Sequence, residues 1–192
     1  TNLAVGGTTT YHIMPDWYSS PSNRPNRNTN KNVSKAISLG ADAIIVNMPS
    51  NDASSNYGVN EQMFNFITLF DEGNNVNIPV WICTTQPRNF STSKKAIQIA
   101  VRDSIFNYFG MYAIDFWNGC ADSNNNILFA YDSGDGVHMN NAGHRVLNQR
   151  VLDEDIPNHI ADTLPYSDHV LLDIQFETPS VCGDSNSVIN IL

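Results

Sequence analysis

The stretch richest in chemistry is Asp135-Gly136-Val137-His138, followed at once by Met139-Asn140-Asn141-Ala142-Gly143-His144. An aspartate three residues ahead of a histidine can fold back through the glycine turn. Its carboxylate then accepts a hydrogen bond from one imidazole nitrogen and leaves the other free as a base. That is the orienting half of an acid–histidine–nucleophile triad. The competing reading is a turn that caps the next helix, and the spacing alone fits both. A metal reading lacks a third ligand at sensible spacing from His138 and His144.

Other segments offer polar groups to such a pair. Gly6-Gly7-Thr8-Thr9 reads as a turn that follows a strand and opens a helix, where backbone N–H groups can hold an oxyanion or a phosphate. Ser50-Asn51-Asp52 follows an apolar run; the Asn51 amide can donate to an oxyanion, and Asp52 reads as a turn or helix cap. Arg88, in the loop 84–90, Thr8 and Asp52 are candidates to line a pocket. A phosphate-binding reading rests on the glycine turn alone, since neither a Walker lysine nor G-x-G-x-x-G supports it.

The elements that must position these residues alternate. Residues 43–48 and 78–83 are apolar runs of buried-strand type, 111–116 a further strand, and 1–5 the end of another. Between them, 30–39 carries a helical stripe with Gly40 as C-cap, 57–70 a second stopped by Gly73, 93–109 a third capped by Ser93, and 140–152 a last helix. Strand and helix in alternation predict an α/β fold with a parallel sheet and helices on both faces. In such sheets function gathers beyond the carboxyl ends of the strands, where the candidate residues lie. Residues 21–32 read as a solvated, Asn-rich loop.

The chain has 192 residues and a net charge of -9, with 41% apolar and 15% charged residues, enough for a core. Its pI of about 4.7 excludes a nucleic-acid partner, which needs a basic patch, and disfavours anionic membranes; no apolar run is long enough for membrane insertion. Cys83 reads as a buried free thiol, whereas Cys120 and Cys182 could pair with each other or with residues elsewhere. Beyond Leu152 the pattern changes: Pro157 and Pro165 break the helical period and residues 169–176 alternate like an exposed strand. The predicted organisation is an α/β domain over 1–156, a linker over 157–168 and the start of an all-β module over 169–192. The strand-like ends suggest a piece of a longer polypeptide.

In order along the chain, Gly6-Gly7-Thr8-Thr9, Ser50-Asn51-Asp52 and Asp135-Gly136-Val137-His138 together resemble the SGNH hydrolases, also called GDSL esterases, over about four fifths of the chain. The resemblance implies a flavodoxin-like three-layer α/β/α sheet. It also implies cofactor-free ester hydrolysis through an acyl-enzyme. His138 would be the general base, Asp135 its orienting partner, and Gly7 N–H and the Asn51 side chain the oxyanion donors.

Two positions depart from the family pattern. Pro49 stands where the third block has glycine, and the first block, with its strand and G-D-S nucleophile, would lie upstream of Thr1. The 192 residues alone are therefore expected to be inactive and, with a central strand lacking, prone to self-association. Gly183-Asp184-Ser185 spells the lacking motif, so Ser185 would be the nucleophile only in a permuted chain. Residues 170–185 instead resemble the opening of an Ig-like adhesion module of the CARDB type, which implies a secreted or cell-surface protein. The expected reaction is acyl-ester or carbohydrate-ester deacylation, with the acidic surface and the lack of a lid-like apolar segment favouring an acylated carbohydrate over a lipid. The alternative is a non-catalytic carbohydrate-binding or adhesive module on the same fold.

Overall fold

Four consecutive apolar residues, Val80-Trp81-Ile82-Cys83, set the centre of the fold. In the computed structural model, which describes residues 1–48 and 50–163, they form the middle strand of a three-stranded parallel sheet. The strands are β1 (Ile44–Val46), β2 (Val80–Cys83) and β3 (Ala113–Ile114), in the spatial order β1-β2-β3. Ile44 lies opposite Val80 and Val46 opposite Ile82 in one pair, and Ile82 opposite Ala113 and Cys83 opposite Ile114 in the other.

Side chains alternate across a strand, so β2 feeds two cores. Val80 and Ile82 join Ile44 and Val46 on one face, against Phe66 and Leu69 of α3 (Val59–Asn74) and Val101, Ile105 and Phe109 of α4 (Thr92–Phe109). Trp81, Cys83 and Ile114 point the other way, against Leu147 and Val151 of α5 (Asn141–Asp153) and Ile156 and Ile160 of α6 (Ile156–Thr163). Helices thus cover both faces, the three-layer α/β architecture that the alternating pattern predicts. Each fully buried aliphatic or aromatic side chain contributes about 1.5–3 kcal/mol. No described helix is long and apolar enough to cross a membrane.

Element ends follow local chemistry and shift several expected boundaries. α1 (Val33–Ser38) starts where the Asn32 side chain accepts the Lys35 N–H at 2.9 Å, and Gly40, at φ +73, turns the chain out of it. α4 is flanked by Ser91 rather than Ser93. Gly73 does not stop α3, which runs through it to Asn74. A Cβ there would lie 2.3 Å from Val80 Cγ2 and 2.8 Å from the Ile78 carbonyl oxygen, so the glycine lets the helix approach β2.

Three readings are corrected. Residues 1–5 form no strand: the segment is largely exposed and pairs with none of the described strands. Pro157 does not break the helical pattern: it is the second residue of α6, where a missing N–H has no intrahelical partner to lose. Ile156 and Ile160 of that helix are buried in the second core. The 21–32 segment is not a freely solvated loop. The Arg24 guanidinium makes a two-pronged pair with Glu61 at 2.5 and 2.9 Å and stacks on Tyr57, Arg27 donates to the Tyr18 carbonyl oxygen at 2.6 Å, and Asn32 is buried. Cys83 and Cys120 are buried and form no disulfide among the described residues, and burial raises the pKa of each. Cys182, Pro165, the 169–192 module and its Ser185 lie outside the described residues, as does Pro49.

Gly73→Ala is expected to lower the unfolding free energy. Overpacking against Val80 costs about 1–3 kcal/mol, more than the ~1 kcal/mol that alanine gains in helix propensity. Urea denaturation checks the sign.

Candidate active site

Each strand delivers a loop to the carboxyl edge of the sheet. β1 leads into Ser50 and the single turn α2 (Asn51–Ser54), β2 into residues 84–90, and the chain beyond β3 reaches Asp135 and His138 just before α5. His138 Nδ1 lies 2.6 Å from Asp135 Oδ2. The other carboxylate oxygen accepts the Val137 and His138 backbone N–H groups, both at 2.8 Å, and the Ser133 hydroxyl at 3.2 Å. The His138 backbone N–H, then its ring and the Val137 N–H, hold the Asp135 carboxyl far below the usual aspartate range. Both side chains are about half exposed. In the neutral ring a carboxylate on Nδ1 selects the tautomer with its hydrogen there, and no described residue hydrogen-bonds to Nε2. The triad-half and cap readings do not compete here: Asp135 orients the imidazole, while the Asn140 side chain caps α5 by accepting the Ala142 and Gly143 N–H groups.

Three residues that sequence reasoning passed over hold this turn. Asp132 Oδ1 accepts the Gly134 and Gly136 N–H groups at 2.8 and 3.0 Å. Asn140 Nδ2 donates to the Ala130 and Asp132 carbonyl oxygens at 3.0 and 3.1 Å. Asn89 donates its backbone N–H to the Gly136 carbonyl at 2.8 Å and accepts the Ile127 N–H on its side chain at 2.9 Å. Gly136 sits at φ +69, and a Cβ there would fall 2.6 Å from Asn89 Nδ2. The recurrence of Asp and Gly in Asp132-Ser133-Gly134-Asp135-Gly136 was the readable signal for the Asp132 turn.

On the β1 side, Asn51 Nδ2 donates to the Thr8 carbonyl at 2.9 Å, which leaves its second N–H uncommitted. Gly7 sits next door at φ +76, exposed and with nothing within 4 Å of where a Cβ would stand. Thr8 Oγ1 closes the turn by donating to the Val5 carbonyl at 2.8 Å. The glycine turn opens a 3₁₀ turn, Thr10–Ile13, rather than an α-helix. Asp52 caps this turn from a buried position. It is 4% exposed and accepts the Thr10 backbone N–H at 2.9 Å and the Thr10 hydroxyl. Burial pushes its carboxyl up to about 6, against the two Thr10 hydrogen bonds that pull it down.

Arg88 stands between the two groups. Its Nη1 donates to Ser50 Oγ at 3.3 Å and its guanidinium stacks 4.6 Å from the Phe90 ring centre. Burial lowers its pKa and the Asp135 charge partly restores it, which sets it electrically near the Asp135–His138 turn. The structure therefore joins Gly7, Thr8, Asn51 and Asp52 as one cluster and Asp135 with His138 as another. Arg88 and Asn89 link their loops, and no described hydrogen bond connects the clusters directly. His144 is half-buried, with its pKa lowered by burial and then by His138. Among the described residues no group of three or more His, Cys, Asp or Glu is placed to hold a metal.

No family model and no curated protein matches the chain. Solved structures do. A protein described as an acylhydrolase from Bacteroides fragilis aligns with a TM-score of 0.57 at 19% identity, over 81% of this chain and 73% of that one. A GDSL-like lipase from Bacteroides thetaiotaomicron aligns with 0.53 at 18%, over 68% and 67%. A protein described as lipolytic and of the G-D-S-L family from Desulfitobacterium hafniense gives 0.51 at 11%, over 63% and 69%. At these identities the likeness is one of fold: the chain has the parallel α/β architecture of GDSL-like hydrolases.

The two aspartates should titrate at opposite extremes. Carbon-13 carboxyl shifts are expected to give Asp52 a midpoint near 6 and Asp135 one below every ordinary aspartate. A raised acid pKa means the folded state holds the proton more tightly, so the Asp52 contribution to stability falls as pH rises through about 6. Asp135 acts in the opposite sense: its contribution is present above the ordinary range and is lost on acidification. Asp52→Asn should therefore flatten the fall in Tm between about pH 4 and about pH 7.

Proposed function

We propose that the protein is a serine ester hydrolase. The observation that carries this reading is the Asp135–His138 pair at 2.6 Å, with no described hydrogen bond at Nε2. A serine from a G-D-S block upstream of Thr1 supplies the nucleophile. His138 Nε2 takes its proton, the serine oxygen attacks the ester carbonyl, and Asp135 steadies the imidazolium. The Gly7 N–H and the second Asn51 Nδ2 hydrogen receive the oxyanion. His138 then protonates the leaving alcohol, and a water activated the same way releases the acyl group. Arg88 and Thr8 line the approach.

An acylated carbohydrate is the substrate class we favour. A net charge of -9 repels anionic lipid surfaces, and few charged residues leave a polar, amide-rich exterior suited to sugars. A secreted or cell-surface setting is part of the same proposal, as is an adhesive module over 169–192.

The test is p-nitrophenyl acetate turnover and fluorophosphonate labelling, with peptide mapping, on the protein that includes sequence ahead of Thr1. A label on a serine N-terminal to Thr1 is expected. His138→Ala should lower kcat/KM by about 10³-fold or more, and Asp135→Asn by about 10²–10⁴-fold. Absence of both turnover and label would replace this reading with the non-catalytic binding module. A label at Ser185 would replace it with a permuted enzyme.

A further inference from the structure

Residues 4–7 of the glycine turn are exposed, and the Thr8 hydroxyl donates to the Val5 carbonyl across it. From α2, two consecutive residues grip two positions that flank its exit. Asn51 takes the Thr8 carbonyl at 2.9 Å, and Asp52 takes both the N–H and the hydroxyl of Thr10. Asn65, on α3, donates from Nδ2 to Thr10 Oγ1 at 2.7 Å, so the single hydroxyl proton of Thr10 is directed at Asp52. Asn65 Oδ1 is buried with no hydrogen-bond partner among the described residues, and the donors run from α3 through Thr10 into the carboxylate.

The arrangement is an expensive way to cap a turn. Asp52 is buried without a paired cation. The charges that bear on it are Glu61 on α3, which opposes ionisation, and Arg24, which favours it but is engaged by Glu61. A threonine or asparagine would hold the Thr10 N–H without a desolvated charge. What a carboxylate adds is a two-point grip that fixes the distance from Thr10 to the helix bearing Asn51.

We propose that Asp52 is a positioning residue that locks Thr10, and through it the Gly7 turn, against α2, so that the Gly7 N–H and the Asn51 amide present as one rigid donor pair. This rests on the acyl-transfer reading of the site. Asp52 touches no reacting atom; it acts through the two donors.

Two arms test it. In the 192-residue chain, amide shifts of Thr10 and Gly7 are followed against pH in the unaltered protein and in Asp52→Asn. A merely structural Asp52 would move Thr10 alone. The expected result is that Gly7 follows the same titration as Thr10, with a midpoint near 6, and that both titrations vanish in the variant. A Gly7 amide that ignores the Thr10 titration overturns the proposal.

In the protein that includes sequence ahead of Thr1, Asp52→Asn is expected to lower kcat by about 10–100-fold with KM little changed. Asp52→Glu should restore part of it. An unchanged kcat, or a loss confined to KM, overturns the proposal. If the unaltered protein neither turns over ester nor takes the fluorophosphonate, the acyl-transfer reading fails by itself, and the Gly7 titration still decides whether Asp52 sets the turn.

Discussion

Everything in this structure hangs on one strand that is paired along both edges and buried on both faces. β2 has no exposed residue, and its alternating side chains supply the centre of both cores. A strand so placed cannot slip by one residue without exchanging Val80 and Ile82 for Trp81 and Cys83 across the sheet. The packing on each side therefore fixes its register, and that register sets where residues 84–90 emerge. Arg88 and Asn89 reach toward the loops on either side from that point. The linkage between the two clusters of candidate residues is thus a consequence of core packing beneath it.

The same logic explains what could be read from the chain and what could not. Continuous apolar runs and helical stripes reveal β1, β2 and most helices because burial imposes those periods directly. Gly73 was misread because close approach to a strand and helix termination call for the same residue. Pro157 was misread because the penalty of proline depends on whether an N–H partner exists, and at the second helical position none does. The 1–5 segment has strand composition, but a strand exists only with a neighbour, which composition does not reveal. In the site, Asp135 and His138 were legible because three residues of separation confine the pair. Asp52 and Thr10 lie 42 residues apart, and no local signal links them. Asn89 meets Gly136 across a similar gap.

Two aspartates at this edge show how one side chain type is set to opposite ends of its range. Asp135 is solvated and saturated with donors, so its charge is secure and can orient a base. Asp52 keeps only the two Thr10 donors and is cut off from water, so its charge is marginal. Solvent access, more than the number of hydrogen bonds alone, separates them.

The tethering of residues 15–32 has a practical side. Arg24, Arg27, Asn28 and Asn32 fasten this excursion at successive points, to Glu61, Tyr18, His12 and Met14. Between those fasteners the chain around Pro21-Ser22-Asn23 is exposed. Lengthening a loop closed at fixed anchors is cheap, about 0.6 kcal/mol for each doubling. The surface there can be rebuilt without disturbing the sheet, which makes this tip a natural port for an inserted tag or a grafted recognition loop.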